Sequence, residues 1–131
     1  MTRLFEAAQI GGMQVKNRFV RSATWEGMAK DDGSCPPGLA EKMAELARNE
    51  VGLIISSHAY VSPEGKAGPW QLGAHSEDML PGLEGMASAV HEAGGRAILQ
   101  LAHAGSQTNS DLTGLEPIGP SRPGEEDEFS C

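Results

Sequence analysis

Two apolar runs in this chain pass without a break into residues able to bind a polar ligand or move a proton. Residues 97–102 read Ala-Ile-Leu-Gln-Leu-Ala and are followed by His103 and Gly105, so an amide (Gln100) and an imidazole (His103) stand at the end of an otherwise apolar stretch. Residues 51–55, Val-Gly-Leu-Ile-Ile, give way in the same manner to Ser56, Ser57, His58 and Tyr60, and a third stretch, 18–23, leads into Thr24, Trp25 and Glu26. Amide and hydroxyl groups donate and accept hydrogen bonds, and imidazole gains or loses a proton near neutral pH. Taken singly, each residue also has a purely structural reading. Gln100 can satisfy backbone groups at a strand end, His58 and His103 can be hydrogen-bonded structural histidines, Trp25 and Trp70 can pack as hydrophobic residues, and Glu26 reads as a solvated loop carboxylate. No role falls to His75 or His91.

The elements that would position these groups follow from periodicity. Residues 18–23, 52–56 and 97–101 read as strands, and the apolar positions of the last could be covered on both faces, as in parallel sheets. Between the second and third strands, Leu80, Leu83, Met86, Ala87 and Val90 recur at spacings of three and four within 76–95, the stripe of an amphipathic helix that Gly94 and Gly95 stop. Leu39, Met43, Leu46 and Ala47 form a second such stripe, with Pro36 and Pro37 near its start and Asn49 near its end. Strand, helix, strand, helix, strand is the order of a parallel α/β sheet with helical crossovers, whose chemistry sits at the C-terminal ends of the strands. Beyond residue 105 the chain is rich in Gly, Pro, Ser and acids, with no helix expected to cover the third strand and no fourth strand, so the architecture reads as unfinished.

Composition limits the partners. The 131 residues suit one domain, and a net charge of −8 with dispersed Lys and Arg argues against nucleic acid. The acidic run at 125–128 reads as a solvated loop, and Cys35 and Cys131, in no CxxC spacing, as reduced thiols. With neither a signal-like N-terminus nor a membrane-length apolar run, the expectation is a cytoplasmic protein without membrane contact.

Leu4, Phe5 and Glu6, then 10–24 (Ile-Gly-Gly-Met-Gln-Val-Lys-Asn-Arg-Phe-Val-Arg-Ser-Ala-Thr), 52–65 (Gly-Leu-Ile-Ile-Ser-Ser-His-Ala-Tyr-Val-Ser-Pro-Glu-Gly) and 100–105 (Gln-Leu-Ala-His-Ala-Gly) together resemble the N-terminal part of the Old Yellow Enzyme family, the FMN-dependent NADH:flavin oxidoreductases and ene-reductases. The resemblance runs over nearly the whole chain, in order. It implies the first three βα units of a (β/α)8 TIM barrel, with residues 5–15 as the short hairpin that closes the barrel bottom. Residues 1–131 would then be an N-terminal fragment of a single FMN-binding domain, an incomplete barrel. It implies FMN as cofactor and NADH or NADPH as hydride donor to an electrophilic, activated alkene.

By the same resemblance, Ser22, Ala23, Thr24 and Trp25 form a first wall of the flavin site, with Ala23 small enough for the backbone to approach the ring. Gln100 corresponds to a glutamine whose amide meets the flavin pyrimidine edge, and an uncharged side chain with both donor and acceptor suits that edge. His58 stands where many relatives have a small residue beside the flavin, and Trp25 where many carry Thr or Cys. The family's substrate-anchoring pair, proton-donating Tyr, flavin-contacting Arg and phosphate loops are expected beyond residue 131. The chain alone is therefore expected to be inactive and, with two open strand edges, to self-associate. A fragment without cofactor, or another TIM-barrel enzyme, are the alternative readings.

Overall fold

The computed structural model describes residues 3–120, so the acidic run at 125–128 and Cys131 lie outside the described residues. An antiparallel hairpin comes first, β1 (Ala8–Ile10) and β2 (Met13–Val15), pairing Ala8 with Val15 and Ile10 with Met13. Phe5 precedes it in a 3-10 turn and meets the Phe19 ring edge-on at 5.1 Å.

Three strands form the main sheet: β3 (Val20–Arg21), β4 (Leu53–Tyr60) and β5 (Arg96–Ala102), in the order β3-β4-β5. Both pairings are parallel, with Val20 opposite Leu53 and Ile54 opposite Ala97. The order and direction are those expected; the lengths differ. β3 has two residues where six were expected, because the chain leaves the ladder at Ser22. β4 runs on to Tyr60, through the polar residues expected to form a loop.

The two crossovers are helical. α1 (Pro37–Arg48) has Pro37 in its first turn, where a missing N–H costs nothing, and buries Leu39, Met43, Ala44 and Ala47. α2 (Leu80–Glu92) follows a 3-10 turn at Glu77–Met79, buries Met86 and Val90, and ends where Gly94 takes φ +79°, a left-handed conformation that suits glycine. These helices pack on each other and on one face of the sheet, where Met43, Ala47, Ile54, Met86 and Val90 form the core. After β5 the described residues hold a 3-10 turn (Gly105–Gln107) and a one-turn helix, α3 (Ser110–Thr113), capped by the Asn109 side chain on Asp111 N. The described residues thus hold two complete βα units and a third strand, rather than three units.

Both-face cover of β5 was expected and is not found. Ile98, on the face turned from the helices, is 40 % exposed, and Leu101, near the C-terminal end of this edge strand of the described sheet, is 61 % exposed. The hairpin is held at the N-terminal ends of the strands. Arg96 Nε donates to Gln14 O (3.2 Å), Lys16 Nζ to Ala47 O (2.8 Å) at the α1 C-terminus, and the buried Asn17 gives its Nδ2 to Glu50 O (2.6 Å). No helix among the described residues is long and apolar enough to cross a membrane.

Candidate functional site

The end of the sheet away from the hairpin carries the polar groups, and a fault in β4 decides which of them face the same way. Ile55 pairs with Ile98 and His58 with Gln100, so three steps along β4 match two along β5. One extra residue in β4 is a β-bulge. Strict alternation would have placed Ser57 on the face of Ile55; the bulge puts His58 there instead, next to Gln100. Because Ile54 and Ala97 pack into the helix layer, the face shared by Ile55, Ile98, His58 and Gln100 is the one turned away from the helices.

The bulge is satisfied locally. Buried Ser56 accepts from Gln100 N at Oγ (3.2 Å) and donates the same hydroxyl to Ser57 O (2.8 Å). Behind His58, fully buried Gln71 donates Nε2 to His58 O (3.1 Å) and accepts from Ala67 N (2.7 Å) and Gly68 N (3.3 Å). The backbone of His58 is thereby fixed to the 66–71 loop. Among the described residues neither the Gln100 amide nor the His58 ring has a hydrogen-bond partner of its own, so Gln100 is not spent on backbone groups at the strand end.

Ser22, Ala23, Thr24 and Trp25 lie just past β3, on the other side of β4 from Gln100. Ser22 and Thr24 are exposed, Ala23 is half-buried, and Thr24 Oγ1 donates to Ser22 O (3.2 Å). The register thus brings His58 and Gln100 together directly, while 22–25 approaches through Arg21, whose Nη1 donates to Ile55 O (3.1 Å) and Nη2 to Thr24 O (3.4 Å). Trp25 and Trp70 are 50 % and 51 % exposed, which disfavours the alternative reading of plain hydrophobic packing. Glu26 is corrected: its side chain is only 9 % exposed and pairs with Arg21 at 2.5 Å.

His103 takes the structural role open to it. Its Nδ1 accepts from Gly105 N (2.9 Å), and its ring lies so close over Gly65 that a side chain there would collide with it. His75, given no role, stacks on Tyr60 with ring centroids 4.7 Å apart, while the Tyr60 hydroxyl donates to Asp32 O (2.9 Å). Gly33, at φ +88°, lies against that hydroxyl and leaves no room for a Cβ. Burial pushes the Tyr60 hydroxyl above its usual range and the Cys35 thiol up to about 11, with the Glu26 carboxylate adding to the latter.

Residues 3–129 match the NADH:flavin oxidoreductase / NADH oxidase family. The chain belongs to this family. It is 36% identical over 120 residues to an NADH oxidase of Thermoanaerobacter brockii, across 90% of this chain and 18% of that protein. To an NADPH dehydrogenase of Halalkalibacterium halodurans it is 34% identical over 110 residues, 83% of this chain and 32% of the relative. Among solved structures, the Old Yellow Enzyme homologue from Zymomonas mobilis superposes with a TM-score of 0.85 at 32% identity, over 93% of this chain and 34% of that one. The chain therefore spans about a third or less of the length of these relatives.

Within this chain, sequence reasoning passed over Arg21 and Gln71. Arg21 left a trace, a charge inside a strand-like run that must find a partner. Gln71, between Trp70 and Leu72 in an irregular segment, left none.

Proposed function

We propose that these residues form one wall of the FMN site of an NAD(P)H-dependent oxidoreductase of the Old Yellow Enzyme type. In this reading Ser22, Ala23, Thr24, Trp25, His58 and Gln100 lie against the flavin, NADH or NADPH is the hydride donor, and the acceptor is a small activated alkene. The fold is then the first two βα units and the third strand of a (β/α)8 barrel, with the β1–β2 hairpin closing its bottom. The observation that carries the reading is the Gln100–His58 pair, two polar side chains without protein partners, held side by side on the face turned from the helices. A free amide offers a donor and an acceptor together, which matches the alternating carbonyl and N–H groups of a flavin pyrimidine ring. The apolar Ile98 on the same face suits the body of an aromatic ring.

When bound, the flavin supplies the two-electron chemistry between nicotinamide and acceptor. The chain's own part is to bind and orient. Gln100 fixes the pyrimidine edge, half-buried Ala23 lets the backbone come close, and His58 borders the ring. Alone, the 131 residues do not turn over NADH and an enone. Val20 is 50 % and Ile98 40 % exposed, and an open sheet neither excludes water from a flavin nor fixes a nicotinamide against it.

The test is a chimera in which this chain replaces the corresponding part of the Zymomonas mobilis relative. It is expected to purify yellow with a flavin absorption spectrum, and Gln100→Ala to weaken FMN retention by about 1–2 kcal/mol, the loss for a hydrogen bond with desolvated partners. A folded but colourless chimera, or FMN affinity unchanged by Gln100→Ala, overturns the reading.

A further inference from the structure

We propose that Arg21 and Glu26 form a positioning clamp that holds the 22–25 segment in place as a flavin wall; the inference rests on the site reading above and adds the device that sets its geometry. Three acceptors converge on one guanidinium. Nη1 reaches across to Ile55 O (3.1 Å) on β4, while Nη2 takes both Thr24 O (3.4 Å) and the Glu26 carboxylate (2.5 Å). The fork shape of arginine permits this, one nitrogen anchored on the neighbouring strand and the other on the departing loop.

The clamp stands where the ladder fails. β3 pairs with β4 only at Val20 and Arg21, and after Arg21 the next hydrogen bond that ties this segment to a distant part of the chain, among the described residues, is Ala29 N to Trp70 O (3.2 Å). Between those points Ser22, Thr24 and Trp25 are exposed and bury too little to fix their own position. Both charges are largely withdrawn from water, Arg21 to 18 % and Glu26 to 9 % side-chain exposure. A pair so buried adds little net stability over an apolar pair of the same size, so its effect is better sought in geometry than in stability.

Limited chymotrypsin digestion of the 131-residue chain, read at the bond after Trp25, tests the clamp. Glu26→Gln, which keeps an acceptor oxygen beside the guanidinium, and the double variant Arg21→Met/Glu26→Met, which leaves no lone buried charge, are each expected to speed that cleavage about tenfold while the urea midpoint moves little, since cleavage of a locally opened segment follows the local opening equilibrium. Arg21→Lys, a point charge without the fork, should not restore the parent rate. Should the double variant fail to fold, Glu26→Gln decides alone. Unchanged cleavage after Trp25, or acceleration only in step with a global loss of stability, overturns the clamp. In the FMN-binding chimera the same variants should weaken FMN about tenfold and shift the flavin absorption band. If the parent chimera binds no FMN, the site reading falls while the digestion result still judges the clamp.

Discussion

Cys35 and Gln100 sit in opposite environments, and both consequences can be measured. Burial, reinforced by the Glu26 carboxylate, moves the Cys35 thiol from 9.0 up to about 11. At pH 8 its thiolate population is then about a hundredfold below that of a thiol at 9.0, and alkylation by iodoacetamide should be slow in the folded chain and fast in urea. Equal rates in both states would refute this. The sign for stability follows from the folded state holding the proton more tightly: the contribution is complete below pH 9.0 and is lost as pH rises through about 11. The place of Gln100 on a strand was legible because a polar residue interrupts an apolar run. Glu26 was misjudged because burial of a carboxylate depends on a partner that the local pattern does not name, here Arg21.

At the scale of elements, the β4 bulge is the feature that local pattern conceals. The helices were readable from their three-and-four spacing, and the strand order followed from their alternation with strands. The extent of β4 was not, since Ser56 and Ser57 look like the start of a loop until their burial is known. The hydroxyl of Ser56 replaces what the irregular ladder lacks, accepting Gln100 N and donating to Ser57 O. Ser56→Ala should therefore cost about 1 kcal/mol of stability in urea unfolding, the net worth of a part-buried hydrogen bond. It should also disturb the His58–Gln100 register, seen as shifted amide resonances at Gln100 and Leu101. A variant as stable as its parent would show the bulge to be held by backbone bonding alone. β3 was read too long because 18–23 has strand composition, yet Arg18 N bonds to Leu4 O and Phe19 O accepts from both Gly52 N and Leu53 N, leaving a two-residue ladder.

For the whole molecule, the open edge at β5 and the uncovered face govern behaviour in solution. On β5, Ile98 is 40 % and Leu101 61 % exposed, so the edge strand of the described sheet carries apolar side chains in the open. The chain is expected to associate with rising concentration in sedimentation velocity, and Leu101→Lys, placing a charge on the edge strand, to return it toward monomer. Concentration-independent sedimentation of the parent would argue against that. The hydrogen bond from Arg96 to Gln14 spans 82 positions of sequence, and it carries a kinetic meaning. β1 and β2 can form early as a local hairpin, but their docking site is not complete until α2 has crossed over and β5 has been laid down, so attachment of the hairpin is a late event in folding. Removing its tethers should act after the rate-limiting barrier: Arg96→Ala and Lys16→Ala are expected to raise the unfolding rate about two- to fivefold and leave the refolding limb of the chevron in place. The hairpin at the chain's start is thus the last piece to be secured and the first to come loose.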